Sequence, residues 1–254
     1  MRDVIEFAER NKCETVGVLS LPGDDNQGNT IQMAVIARDF RTLARVFLEK
    51  ALSPDRTDLS VFFSYLYEHR IALWEIYDNI LRPGMAEIGV LLERAQIGIN
   101  QEHRAAYEVL DALARLQAGI FIKPAIGKSV VLACIGEELH EIGLRTVSYV
   151  FEAEGWSTHY IGARTPAAAV ARAVEELRPG ILALSMTTPD ESQRSLDDLR
   201  RLSVTAHSMG VTVLIGGAGV PQSVRDFPSV YAVLSSAHDL LDFLAHRSTS
   251  GEAS

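Results

Sequence analysis

Three residues in one short stretch have the types and spacing for coordination chemistry. They are Glu138, His140 and Gly143, in the run I-G-E-E-L-H-E-I-G that follows the apolar stretch SVVLACI. A carboxylate two residues before a histidine can accept the proton of one ring nitrogen. That fixes the tautomer and leaves the other nitrogen free to ligate a metal. Read alone, the triplet fits better a histidine in a loop or at a helix start beside an ordinary glutamate. Two further loops stand at defined intervals from it. Ser185-Met186-Thr187 follows after 41 residues (144–184), and Gly216-Gly217 after another 28 (188–215). Each closes a short apolar run, ILALSM and VTVLIGG. Two glycines without side chains let a ligand lie against the backbone. They also suit an ordinary dinucleotide-binding turn, although such a turn follows the first strand of a sheet and this one follows a late strand.

The elements that must position these residues are legible from periodicity. From Ile31 to about Gly119, apolar residues recur at three- and four-residue spacing, as in IQMAVIARDFRTLARVFLEKAL, LSVFFSYLYEHR and LWEIYDNIL. This predicts a bundle of four or more helices, with Pro54 and Pro83 as punctuation and Pro83 as the first residue of a new helix. After Lys123-Pro124 the pattern changes to five short apolar strands (SVVLACI, STHYIG, ILALSM, VTVLIGG, VYAVL) alternating with helices. That alternation predicts an α/β domain with a five-stranded, doubly wound parallel sheet of flavodoxin-like kind, preceded by the helical bundle as a cap. The predicted boundaries are a lead-in at 1–30, the cap at 31–122, the α/β domain at 126–246 and a disordered tail at 247–254. Ligands in such sheets bind at the carboxyl ends of the strands. The three loops named above all lie there.

With the loops in register, the chain resembles the cobalamin-binding domains of corrinoid proteins, whose pattern is D-x-H-x-x-G, then S-x-L, then G-G. Glu138 replaces the aspartate and Thr187 the leucine. The resemblance implies His140 as the lower axial ligand of cobalt, in place of the cofactor's own dimethylbenzimidazole. It implies Glu138 as the partner of that histidine, and Ser185 and Thr187 beside the buried base. Gly143, Gly216 and Gly217 would allow close approach of the cofactor.

The helical half carries a second resemblance. Pro83-Gly84-Met85-Ala86-Glu87-Ile88-Gly89, and Glu102-His103 further on, are similar to the cap of cobalamin photoreceptors of the CarH type. Where that pattern has a tryptophan this chain has Leu92, and the next residue is Glu93 rather than a histidine that could take the upper cobalt position. The resemblance implies a light sensor that binds adenosylcobalamin, with Leu92, Glu102 and His103 on the upper side. Leucine leaves more space than tryptophan, and a subfamily that this chain resembles pairs cobalamin with a bilin such as biliverdin. Phe62, Phe63, Tyr65, Tyr67, Trp74 and Tyr77 are candidates to line such a space, or else plain core. The residues before the cap are too few and not basic enough for a MerR-type DNA-binding module. The expected output is therefore light-dependent homo-oligomerisation or a partner regulatory protein.

Composition narrows the classes further. A formal net charge of −9 without a Lys/Arg-rich run argues against bulk attraction to nucleic acid or anionic membrane. No run approaches a membrane span, and the amino terminus has no apolar signal core, so a cytoplasmic location is expected. Cys13 and Cys134 are the only cysteines, too few for a disulfide framework or a thiolate metal site. No Ser/His/Asp or Cys/His constellation predicts nucleophilic catalysis, so no enzyme is expected. His69, His159, His207, His238 and His246 show no ligand spacing with one another. Two other classes stay open: a corrinoid methyl-carrier of a methyltransferase system, and a haem-binding or cofactor-free regulator on the same fold.

Overall fold

The computed structural model describes residues 25–54, 59–135, 138–188 and 193–249. The cap begins with α1 (Asp25–Ala37), α2 (Phe40–Leu52) and α3 (Leu59–Glu68). A longer helical run follows, composed of α4 (Leu73–Glu75), a π-turn (Ile76–Leu81) and α5 (Arg82–Glu93). The cap closes with α6 (Ile99–Gly119). The predicted lead-in is therefore shorter than expected, because α1 already starts at Asp25. Residues 1–24 lie outside the described part.

Pro83 stands in the first turn of α5, as the punctuation predicted, but that helix is not a separate one. It sits inside the continuous run 73–93, immediately after the π-turn. Within that turn the Arg82 N–H donates to the Tyr77 carbonyl. The wider loop re-spaces the backbone where proline can neither donate nor fit an undistorted α-turn. The next residue, Gly84, has a packing reason. A Cβ there would meet the Phe47 ring at 2.3 Å, so only glycine lets α5 approach α2 this closely.

The α/β part runs β1 (Ser129–Ile135), α7 (Ile142–Ala153), β2 (Ser157–Thr165), α8 (Ala167–Leu177), β3 (Ile181–Ser185), α9 (Gln193–Ser208), β4 (Thr212–Gly216), a 3-10 turn (Gln222–Asp226), β5 (Val230–Leu234) and α10 (Ala237–Thr249). All pairings are parallel and the spatial order is β2-β1-β3-β4-β5, the flavodoxin-like order with its switch between β1 and β3. The five strands, the parallel sheet and the preceding helical region are as the alternation predicted. Two ends differ. β2 is longer than STHYIG and slips register against β1 twice near its end, at Leu132/Ala133 and Ala133/Ile135. α10 continues to Thr249 into the expected tail, where Arg247 donates to the Thr212 hydroxyl at 3.0 Å and lies over the Phe243 ring.

Strand alternation divides the core. Val130, Leu132 and Cys134 face one apolar cluster with residues of α7 and α10, while Val131, Ala133 and Ile135 face another with α8 and α9. The first cluster continues into the cap through Phe47, Phe62, Phe63, Tyr77, Leu113 and Leu116. Cap and sheet thus share one core on the α7/α10 side. Among the described residues no helix is long and apolar enough to cross a membrane.

Candidate ligand site at the carboxyl edge of the sheet

β1 delivers the loop that holds His140 to the carboxyl edge, beside the switch point. Glu138 is buried there, with its side chain only 3% exposed. Its two carboxylate oxygens accept four N–H donors. Oε1 takes the His140 backbone N–H at 2.8 Å and the His140 Nδ1–H at 2.6 Å. Oε2 takes the backbone N–H groups of Thr187 and Thr188 at 2.6 and 2.7 Å. Burial alone would raise the Glu138 pKa, but the donors of Thr188, His140 and Thr187 outweigh it and hold the carboxyl below its ordinary value. A charged carboxylate therefore binds the loop after β1 to the loop after β3.

The consequence for His140 is specific. Nδ1 is occupied by Glu138, with the Thr188 hydroxyl 3.4 Å away. Among the described residues Nε2 has no partner, and the ring is 65% exposed. An imidazole whose inner N–H donates to a carboxylate and whose outer nitrogen is free is the arrangement of a metal ligand. Among the described residues no three His, Cys, Asp or Glu side chains converge on one point. A single imidazole suits a metal that brings its other ligands with it. Gly143, in the first turn of α7, has no atom within 4 Å of where a Cβ would stand.

Beneath the loop, Ser185 is buried and hydrogen-bonds Cys134, its neighbour across β1 and β3. Burial raises the Cys134 thiol to about 12, with help from Glu138 and Glu141 and against the Ser185 bond. Gly216 pairs with Ser185 and its carbonyl accepts the Met186 N–H at 2.9 Å. Gly217 has φ +114°, and a Cβ on it would meet the Met186 carbonyl oxygen at 2.1 Å. The second glycine of the pair is therefore required by the approach of the β3 and β4 loops to each other. Thr187 contributes through its backbone, as a donor to Glu138.

Sequence reasoning missed the other wall. The irregular end of β2 wraps the same loop: the Arg164 N–H donates to the Glu138 carbonyl at 3.0 Å. Tyr160 donates to Glu141 Oε2 at 3.0 Å, and Arg145 lies 3.5 Å over the Tyr160 ring. Burial raises the Tyr160 hydroxyl well above its ordinary range. Such register slips commonly mark the rim of a site, and no sequence pattern announces them.

Among the described residues no hydrogen bond or ion pair joins Leu92, Glu102 or His103 to His140. Leu92 is half-buried in the last turn of α5, and its carbonyl accepts from Ala95. Glu102 and His103 pair with each other at 3.5 Å in the first turns of α6, with His103 63% exposed. Of the cap aromatics, Phe62, Phe63 and Tyr77 are packed in the core, and Trp74 contacts His238 of α10. Tyr67 borders an open cleft of about 420 Å³ with Arg70, Ile71 and Gly119.

Two family models match, both described as B12 binding domain, over residues 31–117 and 128–241. The chain is 29% and 33% identical to the HTH-type transcriptional repressors CarA and CarH of Myxococcus xanthus, over 65% and 56% of its own length. Those matches take in 54% and 46% of the repressors, so the chain spans about half the length of these relatives. It is also 28% identical to dimethylamine corrinoid protein 2 of Methanosarcina mazei, over 60% of this chain and 72% of that one. Among solved structures, the monomethylamine corrinoid protein of Methanosarcina barkeri superposes with a TM-score of 0.64 at 16% identity, covering 80% of this chain and 97% of the other. That likeness is one of fold.

Proposed function

We propose, from the premise that this chain is a cobalamin-binding module, that it is a light-responsive regulator in which His140 is the lower axial ligand. The observation that carries the binding site is the Glu138–His140 pair, with Nδ1 held at 2.6 Å and Nε2 exposed. Bound cobalamin in its adenosyl form supplies a photolabile cobalt–carbon bond. The chain's own residues fix the imidazole through Glu138, hold Glu138 through Thr187 and Thr188, and bury Ser185 below. The light-responsive part of the reading draws on Glu102-His103 and on the similarity to two repressors over the cap and sheet. Its output would be a change of self-association or of a partner regulatory protein. A bilin as second chromophore draws on Leu92 in place of tryptophan, and not on Phe62, Phe63 or Tyr77, which are packed.

A second reading, a corrinoid carrier, is favoured by the 72% coverage of the dimethylamine corrinoid protein. One experiment separates them. The protein is loaded with adenosylcobalamin, and its absorption and elution volume are recorded in the dark and after green light. A histidine-ligated spectrum that changes with elution volume supports the regulator. Binding without a change of assembly favours the carrier. No binding, or a His140→Ala variant with unchanged spectrum and affinity, overturns the site; loss of roughly a hundredfold in affinity is expected.

A further inference from the structure

The cap meets the α/β part at two ends. At the amino edge, Gln117 of α6 donates to Glu152 of α7 at 2.9 Å, and the Lys123 and Ile126 N–H groups donate to the Ala153 and Gly155 carbonyls. The second end lies at the carboxyl edge, where β5 passes into α10. Helix α10 already carries its own cap: the Asp239 N–H donates to the Ser236 hydroxyl, and Asp239 accepts the Ser235 N–H. Two of its first N–H groups still need acceptors. Asp78, from the π-turn of the cap, supplies both. Its Oδ1 accepts the Ala237 N–H at 2.9 Å and its Oδ2 the His238 N–H at 3.0 Å.

Neighbouring contacts converge on the same spot. Arg82 donates to the Ser235 carbonyl at 2.6 Å, and the Trp74 ring meets the His238 ring edge-on at 4.5 Å. The π-turn makes this possible by turning Ile76, Tyr77, Ile80 and Leu81 into the core while Asp78 remains at the junction with α10. A carboxylate at a helix start is stabilised both by the two N–H bonds and by the helix dipole. The junction stands three strands from β1, about 14 Å along the carboxyl edge from the His140 loop.

We propose that Asp78 is a positioning residue: by capping α10 from the helical cap, it fixes the cap against the carboxyl edge and sets which cap residues can reach over His140. Its importance for cobalamin rests on the function proposed above, whereas the latch itself is testable without any cofactor. Nitroxide labels at Tyr107→Cys on α6 and Val204→Cys on α9, both exposed, report the cap-to-sheet distance in the full chain with Cys13→Ser. Cys134 is buried and stays unlabelled. The parent should give one narrow distance distribution. Asp78→Ala should broaden and shift it, and Asp78→Asn, which keeps one acceptor, should fall between. In the loaded protein, Asp78→Ala should release cobalamin about tenfold faster while the histidine-ligated spectrum is unchanged.

An unchanged distance distribution in a folded Asp78→Ala variant overturns the proposal. So does a distribution that shifts while the release rate stays at the parent value. Should Asp78→Ala not fold, Arg82→Ala carries the test, with a smaller shift expected in the same direction and no shift overturning the latch. If the parent binds no cobalamin, the functional reading fails and the distance measurement still decides the latch.

Discussion

The two regions that sequence motifs single out are built to different degrees. Around His140, Glu138 accepts four donors, and the carboxyl ends of four strands meet through Glu138, Arg164, Thr187 with Thr188, and Gly217. Around Leu92, Glu102 and His103 the side chains stay near the surface, and among the described residues the one polar contact between them is a 3.5 Å pair. The geometry of the His140 region is set by folding. The upper side is a surface whose geometry depends on where the cap is held. A stiff ligand anchor costs no reorganisation at binding, while a loosely held opposite wall can respond to what sits between.

The strongest way to break this contrast is to unpick the lower side at its tightest point. Gly217→Ala should destabilise the apo-protein by about 3 kcal/mol, because its φ of +114° and the Met186 carbonyl both oppose a side chain. Thermal unfolding checks it; a cost near zero would mean the β3 and β4 loops are free to part.

The next test sharpens the role of the carboxylate. Glu138→Gln should cost about 2 kcal/mol at neutral pH, since an amide must turn a donor toward N–H groups that now have an acceptor. The pH dependence has a definite sign. The folded pKa of Glu138 lies below the ordinary 4.5, so its contribution is fully present above that value and is lost as pH falls through the folded pKa. Denaturant midpoints of the two proteins should therefore converge under acid conditions. A gap that stays constant with pH would show that shape, not charge, matters at this position.

The smallest effects belong to the upper side. His103→Ala, at an exposed position, should change apo stability by no more than about 0.5 kcal/mol, and the half-buried Leu92→Ala and Glu102→Ala by about 1 kcal/mol each. Their effects should appear only in the spectrum or light response of the loaded protein. A large loss of apo stability from any of them would erase the distinction between the two regions.

The sequence by itself determined a good deal. Short, near-continuous apolar runs alternating with helical stretches define the parallel sheet and its helices, because the central strands are buried on both faces while each helix buries one. The loop intervals place Glu138, His140, Ser185 and Gly216-Gly217 at one edge, because all strands of a parallel sheet end on the same side. Tertiary structure decided what those loops do to one another. Thr187 and Thr188 serve Glu138 through backbone N–H groups, which any residue has, so no residue type could reveal it. Gly217 is required by the Met186 backbone, 31 positions earlier in the chain, and not by a turn of its own. Pro83 reads locally as a helix start, yet a π-turn carries the helix through it and places Asp78 against a helix start about 160 residues away. Periodicity records how an element buries its own face. Contacts between distant backbones leave no such record, because they depend on where two elements come to rest after both have formed.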